Sequence, residues 1–235
     1  MCLTQPSPNS VRGTVYGDAD VDRVKRQVAR ILSLDVDGRD WPAVGKRDPV
    51  VARLQRMFPG FRPVNWSNAY EAAAWKDRMS RELGHEIYVH GHHLWVFPDP
   101  SRLIELTSFK GLFGRKVEYL NMLGTAALAG ALDTETLRVL PPDESLTELK
   151  KLSGIGDFGS QLIRLRALSA VDEFPTSEPR LAGAIRDAYG LAKEPDLEKL
   201  EQLAESWRQY RMWVCVCLRR TVAGGAGMRQ SRATG

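Results

Sequence analysis

Ser153-Gly154-Ile155-Gly156-Asp157 is the stretch whose residue types and spacing best suit the capture of an anion. A glycine on either side of one apolar residue lets the chain turn tightly with no Cβ in the way. Leu149 and Leu152 end one amphipathic helix before the turn, and Phe158, Leu162 and Leu165 begin another after it. Such a turn sends free backbone N–H groups and a helix N-terminus outward, which makes a phosphate site. Gly154 and Gly156 are the expected phosphate-binding residues, with the Ser160 hydroxyl as an added donor. Contacts of this kind read no bases and only fix a protein's position on a duplex. Residues 149–165 are therefore expected to form a helix-hairpin-helix that grips the DNA backbone, the alternative being an ordinary glycine-rich turn between helices.

Other chemistry-bearing residues are less informative. His85, His90, His92 and His93 lie close enough in sequence for a transition metal, but no cysteine or clear carboxylate pattern accompanies them, so an exposed polar loop is expected and no metal. The cysteines are Cys2, Cys215 and Cys217. The last two are too close for easy bridging, and three are too few for an iron–sulfur cluster. Arg208, Arg211, Arg219, Arg220, Arg229 and Arg232 follow one another with no Asp or Glu between them; they suit phosphates or a solvated helix face and tail. Trp66, Tyr70, Trp75, Trp207, Tyr210 and Trp213 offer stacking surface, although the last three, spaced by three, equally suit a core stripe.

These residues must be held by a mainly helical chain. The 235 residues carry a net charge of +4, are 43% hydrophobic and 26% charged, and suffice for one large domain or two small ones. No apolar run is long enough to span a bilayer and no signal-peptide order opens the chain, so a reduced cytoplasmic protein with no membrane partner is expected. Residues 1–10 and 221–235 are expected to be disordered, the latter as a basic tail. Residues 11–64 form an N-terminal segment with a strand at 11–16, a helix after Asp20, and another from Asp48-Pro49 to Met57. A helix from Asn68 to Leu83 has a capping-box start and a glycine stop. An extended pair covers 86–97, turning at Gly91. Helices at about 99–107, 114–130, 133–139, 143–151, 157–168, 179–188 and 196–219 complete a helical domain over 65–220.

With those blocks in order, the sequence resembles the helix-hairpin-helix DNA glycosylase superfamily, and most of all its DNA-3-methyladenine glycosylase II branch. LSGIGDFGSQLI is followed by DEFPTSEPRL, similar to the family's carboxylate loop, and by LAESWRQYRMWVCVCL, similar to its closing helix. DPVVARLQRMFPGFRPV and FKGLFGRKVEYLNMLGTAALAG also read like family text, and together the blocks cover most of residues 48–220. The resemblance implies a two-lobed helical fold with minor, shortened N-terminal β material. It implies a monomer, associated with the nucleoid, that acts on double-stranded DNA with a damaged base and needs no cofactor. The implied activity is monofunctional removal of alkylated purines in base-excision repair.

Glu178 falls where the family places a catalytic aspartate. There a carboxylate would stabilise oxocarbenium character on the sugar as the base departs. Its alternative is a helix-start acid before Pro179, and Asp172 is the fallback carboxylate. Phe158 stands where strand-cutting relatives carry a Schiff-base lysine, so no lyase activity is implied. Phe158, Trp66, Tyr70 and Trp207 are the expected base-pocket residues. The family's wedge stretch, which fills the hole left by a flipped base, has no counterpart, because NAYEAAAW runs straight into KDRMSRELG. That omission motivates a second reading, a non-catalytic or degenerate helix-hairpin-helix protein that binds duplex or damaged DNA. A Glu178 facing an open aromatic cleft on the hairpin side favours the enzyme; one buried against an arginine such as Arg180 favours the binding protein.

Overall fold

Five aspartates set where helices begin. In the computed structural model, which describes residues 2–7, 9–74 and 77–230, the carboxylate of Asp20 accepts the amides of Asp22 and Arg23 at 2.9 and 3.1 Å. Asp48, Asp99, Asp133 and Asp196 cap in the same way. Each such cap contributes about 1 kcal/mol and ties a helix start to one residue. The chain runs β1 (Cys2–Ser7), β2 (Ser10–Thr14), α1 (Val21–Ile31), α2 (Trp41–Arg47), α3 (Pro49–Met57), α4 (Ala69–Ala74) and α5 (Asp77–Leu83). Next come β3 (Glu86–Val89), β4 (His92–Trp95), α6 (Pro100–Ile104), α7 (Lys116–Leu128), α8 (Thr134–Val139) and α9 (Pro142–Lys150). The last are α10 (Asp157–Arg166), α11 (Leu181–Tyr189), α12 (Leu197–Glu205) and α13 (Arg211–Gln230).

The β material is two separate antiparallel hairpins. β1 pairs with β2 in a register that sets Cys2 opposite Thr14 and Ser7 opposite Ser10. β3 pairs with β4, Glu86 opposite Trp95 and Val89 opposite His92. His90 and Gly91 turn this second hairpin with φ of 49° and 81°, the positive values that a two-residue hairpin loop requires.

Two cores fill the helical body. The first gathers Trp41, Val44, Val51 and Leu54 with Leu165, Ile185, Trp207, Trp213 and Leu218. The second gathers Ala69, Met79, Leu103, Leu120, Leu123, Leu149 and Ile163. Helix α10 serves both, turning Leu165 to one core and Ile163 to the other. The chain thus begins one lobe, builds the second, and returns to finish the first. The expected helical domain over 65–220 contains the whole second core, but its last third completes the lobe that α2 and α3 begin.

Several expectations are corrected. Residues 2–7 form strand β1 instead of open chain, because β2 supplies a ladder partner. Helix α2 was not foreseen. The helix expected over 68–83 comprises α4 and α5, with Trp75 and Lys76 outside the described residues. The helix expected over 196–219 is broken between α12 and α13 by a turn in which the Tyr210 amide donates to Trp207 O at 2.8 Å. That turn lets Trp207 reach Asp48 while Trp213 packs edge-on against Trp41. α13 continues to Gln230, so much of the expected disordered tail is helical; residues 231–235, with Arg232, lie outside the described residues.

Candidate active site and nucleic-acid interface

The hairpin has the backbone geometry that its glycines suggest. Gly154 adopts φ +88°, and a Cβ there would lie 3.0 Å from the ring of Tyr119 on α7, so both conformation and space call for glycine. Ile155 between the glycines packs on the second core. Gly156 is the N-cap of α10, with no side chain capping the first turn and nothing within 4 Å of where its Cβ would sit. The N-terminal amides of a ten-residue helix are thereby left open at the surface. Ser160 does not join them. It is buried, and its hydroxyl donates to Asp157 O at 3.0 Å, a bond back to the preceding turn that removes it from the expected phosphate site.

At the second position of α10, Phe158 is 43% exposed and lines a cleft of about 310 Å³. Trp66, Gln161, Arg166, Glu178, Cys215 and Arg219 share that cleft with apolar neighbours from both lobes. The cleft thus opens beside the start of the helix whose amides stand free.

Glu178 is carried on a loop pinned from three sides. Gln161 on α10 donates its amide to Thr176 Oγ1 at 2.8 Å and accepts both the amide and hydroxyl of Ser177 at 3.0 and 2.7 Å. Arg164 holds Glu173 through Nε at 2.7 and 2.8 Å and reaches Ser145 at 2.6 Å. Arg211 holds Asp172 through side chain and carbonyl. Side-chain motion in Glu178 is therefore played out on a fixed backbone. Its Oε1 accepts the Arg180 amide at 3.2 Å and makes an ion pair with Arg219, whose Nε lies 3.8 Å away, beyond hydrogen-bonding range. The carboxylate faces the aromatic cleft, is 17% exposed, and makes no ion pair with the Arg180 side chain among the described residues.

The structure brings Glu178, Phe158 and Trp66 together and leaves other candidates elsewhere. Tyr70 donates to Pro98 O at 3.0 Å and packs edge-on against Phe97; it lines a separate polar cavity with Arg30 and Glu135. Trp207 is fully buried in the first core, its Nε1 donating to Asp48 and Tyr189, so it offers no face to a base. Tyr210 and Trp213 are buried beside it. Asp172 is occupied by Arg211, with Arg208 3.8 Å away, which makes it a strut of the loop and not a second acid. Those arginines are likewise engaged internally, unlike the phosphate-facing reading of the cluster. The histidines sit on and around the second hairpin, His93 on Glu86 at 2.5 Å and His90 on Tyr16 at 2.6 Å. Among the described residues no group of three His, Cys, Asp or Glu is placed to hold a metal ion.

Sequence reasoning missed four cleft residues. Gln161 had no motif to mark it. Arg219 was indistinguishable from its basic neighbours. Arg166 donates to Val64 O at 2.6 Å, lies 5.9 Å over Trp66, and buries an Nε with no partner; burial first, and then Arg220, lower its pKa. Cys215 was read only for disulfide potential, yet it lines the cleft with its thiol pushed well above the ordinary range by burial.

The fold has solved counterparts. A 3-methyladenine DNA-glycosylase from Archaeoglobus fulgidus superposes with a TM-score of 0.73 at 18% identity, over 89% of this chain and 77% of that one. An 8-oxoguanine glycosylase/lyase from Clostridium acetobutylicum, bound to duplex DNA with cytosine opposite the lesion, gives 0.67 at 20% identity over 87% and 77%. This chain has the helix-hairpin-helix DNA glycosylase fold. By sequence it is 21% identical over 220 residues to the DNA-3-methyladenine glycosylase of Bacillus subtilis (strain 168), covering 86% of this chain and 73% of that protein. No family model matches the chain. Within the fold, the mainly helical body with minor β material is as the sequence implied, and no helix among the described residues is long and apolar enough to cross a membrane.

Proposed function

We propose that this protein is a monofunctional DNA N-glycosylase that excises alkylated purines in base-excision repair. The observation that carries this reading is the joint lining of one cleft by Glu178, Phe158 and Trp66, at the helix start that follows the glycine hairpin. The sequence likeness to a DNA-3-methyladenine glycosylase supports the same substrate class.

In this mechanism the hairpin amides hold a backbone phosphate of the duplex while the damaged nucleotide swings out of the stack into the cleft. Phe158 and Trp66 offer faces to the extruded base. An N-alkylated purine is cationic, so its bond to C1′ breaks with the electron pair leaving on the base. Positive charge then develops on the sugar, where Glu178 stabilises it. A water molecule adds to C1′ and gives up its proton, leaving an abasic site. Phe158 supplies no amine for a Schiff base, so the strand stays intact. We place the protein as a monomer acting on duplex DNA, on the cytoplasmic nucleoid where such lesions arise. Purified protein should release 3-methyladenine or 7-methylguanine from alkylated duplex without nicking it; no release of either base overturns the reading in favour of a protein that only binds DNA.

A further inference from the structure

Phe113 is 79% exposed, a cost in hydrophobic burial for which the fold offers no compensation. It stands in the loop that enters α7, between Gly111 at φ +87° and Gly114 at φ +60°. Those two left-handed glycines throw the loop into a tight projection with Phe113 at its tip. The base of the projection is rigid, because Phe109 is buried in the second core and Leu112 packs against it. Arg78 adds to the anchoring by lying over the Phe109 ring and donating to Lys110 O at 3.3 Å.

The rim of this projection is basic. Lys110, Arg115 and Lys116 flank Phe113 in sequence and are exposed, while Glu118 lies 3.3 Å from Arg115 and Glu82 is paired with Arg78. The projection is also joined to the hairpin. Arg115 lies 5.4 Å over the ring of Tyr119, and Tyr119 is the side chain that closes on Gly154. Arg115, two residues after Phe113, thereby links the loop to the hairpin turn that precedes the cleft.

We propose that Phe113 is a DNA-stacking probe, inserting between bases of the duplex beside the lesion while its basic rim sits on the flanking phosphates. Apolar side chains inserted between base steps offset the cost of unstacking and stabilise the distorted duplex. A tip aromatic flanked by cations fits that partner, since the cations meet phosphates and the ring meets the base faces. This assignment rests on the reading of the chain as a DNA glycosylase. It gives the protein a means of filling the gap left by an extruded base, although its sequence lacks the stretch that performs this task in the family it resembles.

The test uses the full chain and two duplexes, one intact and one with a tetrahydrofuran abasic analogue beside 2-aminopurine. Wild-type protein should prefer the abasic duplex and raise 2-aminopurine fluorescence as the probe unstacks it. Phe113→Ala should lose roughly tenfold of that preference, together with the fluorescence rise, at unchanged thermal midpoint and unchanged salt dependence. Phe113→Trp should restore both. Lys116→Ala should do the reverse, lowering the salt slope by about one while keeping the abasic preference. Preference and fluorescence both intact in Phe113→Ala would overturn the proposal. Because this readout needs no base release, it is judged separately from the glycosylase reading, which the release assay tests; a wild-type protein that binds neither duplex overturns both.

Discussion

Asp48 and Glu178 are both carboxylates set among aromatic rings, and their surroundings differ in one respect that matters. Asp48 is 5% exposed and accepts five hydrogen bonds: the amides of Val50 and Val51, and side-chain donors on Tyr189, Ser206 and Trp207 at 2.5, 2.9 and 3.1 Å. Glu178 accepts one amide at 3.2 Å and has a guanidinium at 3.8 Å. The first carboxylate has spent its lone pairs on holding α3 against the turn that joins α12 to α13. The second keeps most of its acceptor capacity for whatever enters the cleft. A saturated carboxylate in a core organises structure, whereas an unsaturated one on a pinned loop remains free to act on charge that develops beside it.

Variants can break this contrast, and the largest effect is expected at Asp48. Asp48→Ala takes a shared acceptor from Tyr189, Ser206 and Trp207 and removes a helix cap, so unfolding in denaturant should show a loss on the order of 2–4 kcal/mol. Glu178→Gln should leave the unfolding midpoint unchanged while base release falls by about 10²–10³, with duplex affinity retained; a Gln variant as active as wild type would remove Glu178 from the chemistry. Gly154→Ala should cost about 1–2 kcal/mol of stability through its left-handed φ and loosen the grip on any duplex, damaged or not, as an affinity titration would register.

The smallest effect concerns pH. Burial by itself would raise the pKa of Asp48, but hydrogen bonds from Tyr189, Ser206, Val51 and Trp207 outweigh it and hold the group below its ordinary 3.8. A carboxyl depressed in the folded state contributes stability above its unfolded pKa and surrenders it as pH falls through the folded value. Acidification below 3.8 should therefore destabilise wild type more than Asp48→Asn, a difference visible in paired melting curves.

Local chemistry was legible in the sequence. Asp20 and Asp48 announced helix starts, and the glycine spacing announced the hairpin, because caps and turns depend on residues within four positions of each other. Glu178 and Phe158 were found through resemblance, and Trp66 through its ring, and all three converge on one cleft. Trp207 and Tyr70 were misplaced for a common reason. Nothing in an aromatic residue's own neighbourhood says which lobe its ring will face, and Trp207 finds its partner Asp48 159 residues away. Ser160 was misread because a serine in a first turn can donate outward or back to the helix, and the rotamer decides. Helix α2 escaped notice since Trp41 meets its aromatic partners, Tyr210 and Trp213, only when the chain returns to it.

The two cysteines of α13 carry a consequence for a protein whose proposed substrate is alkylated DNA. Sulfur reacts with such electrophiles as thiolate. Burial holds Cys217 up to about 12 and Cys215 higher still, so the sulfur at the cleft wall stays protonated and inert. The cleft is thereby furnished with a soft, polarizable wall that offers an alkylating reagent no thiolate to consume.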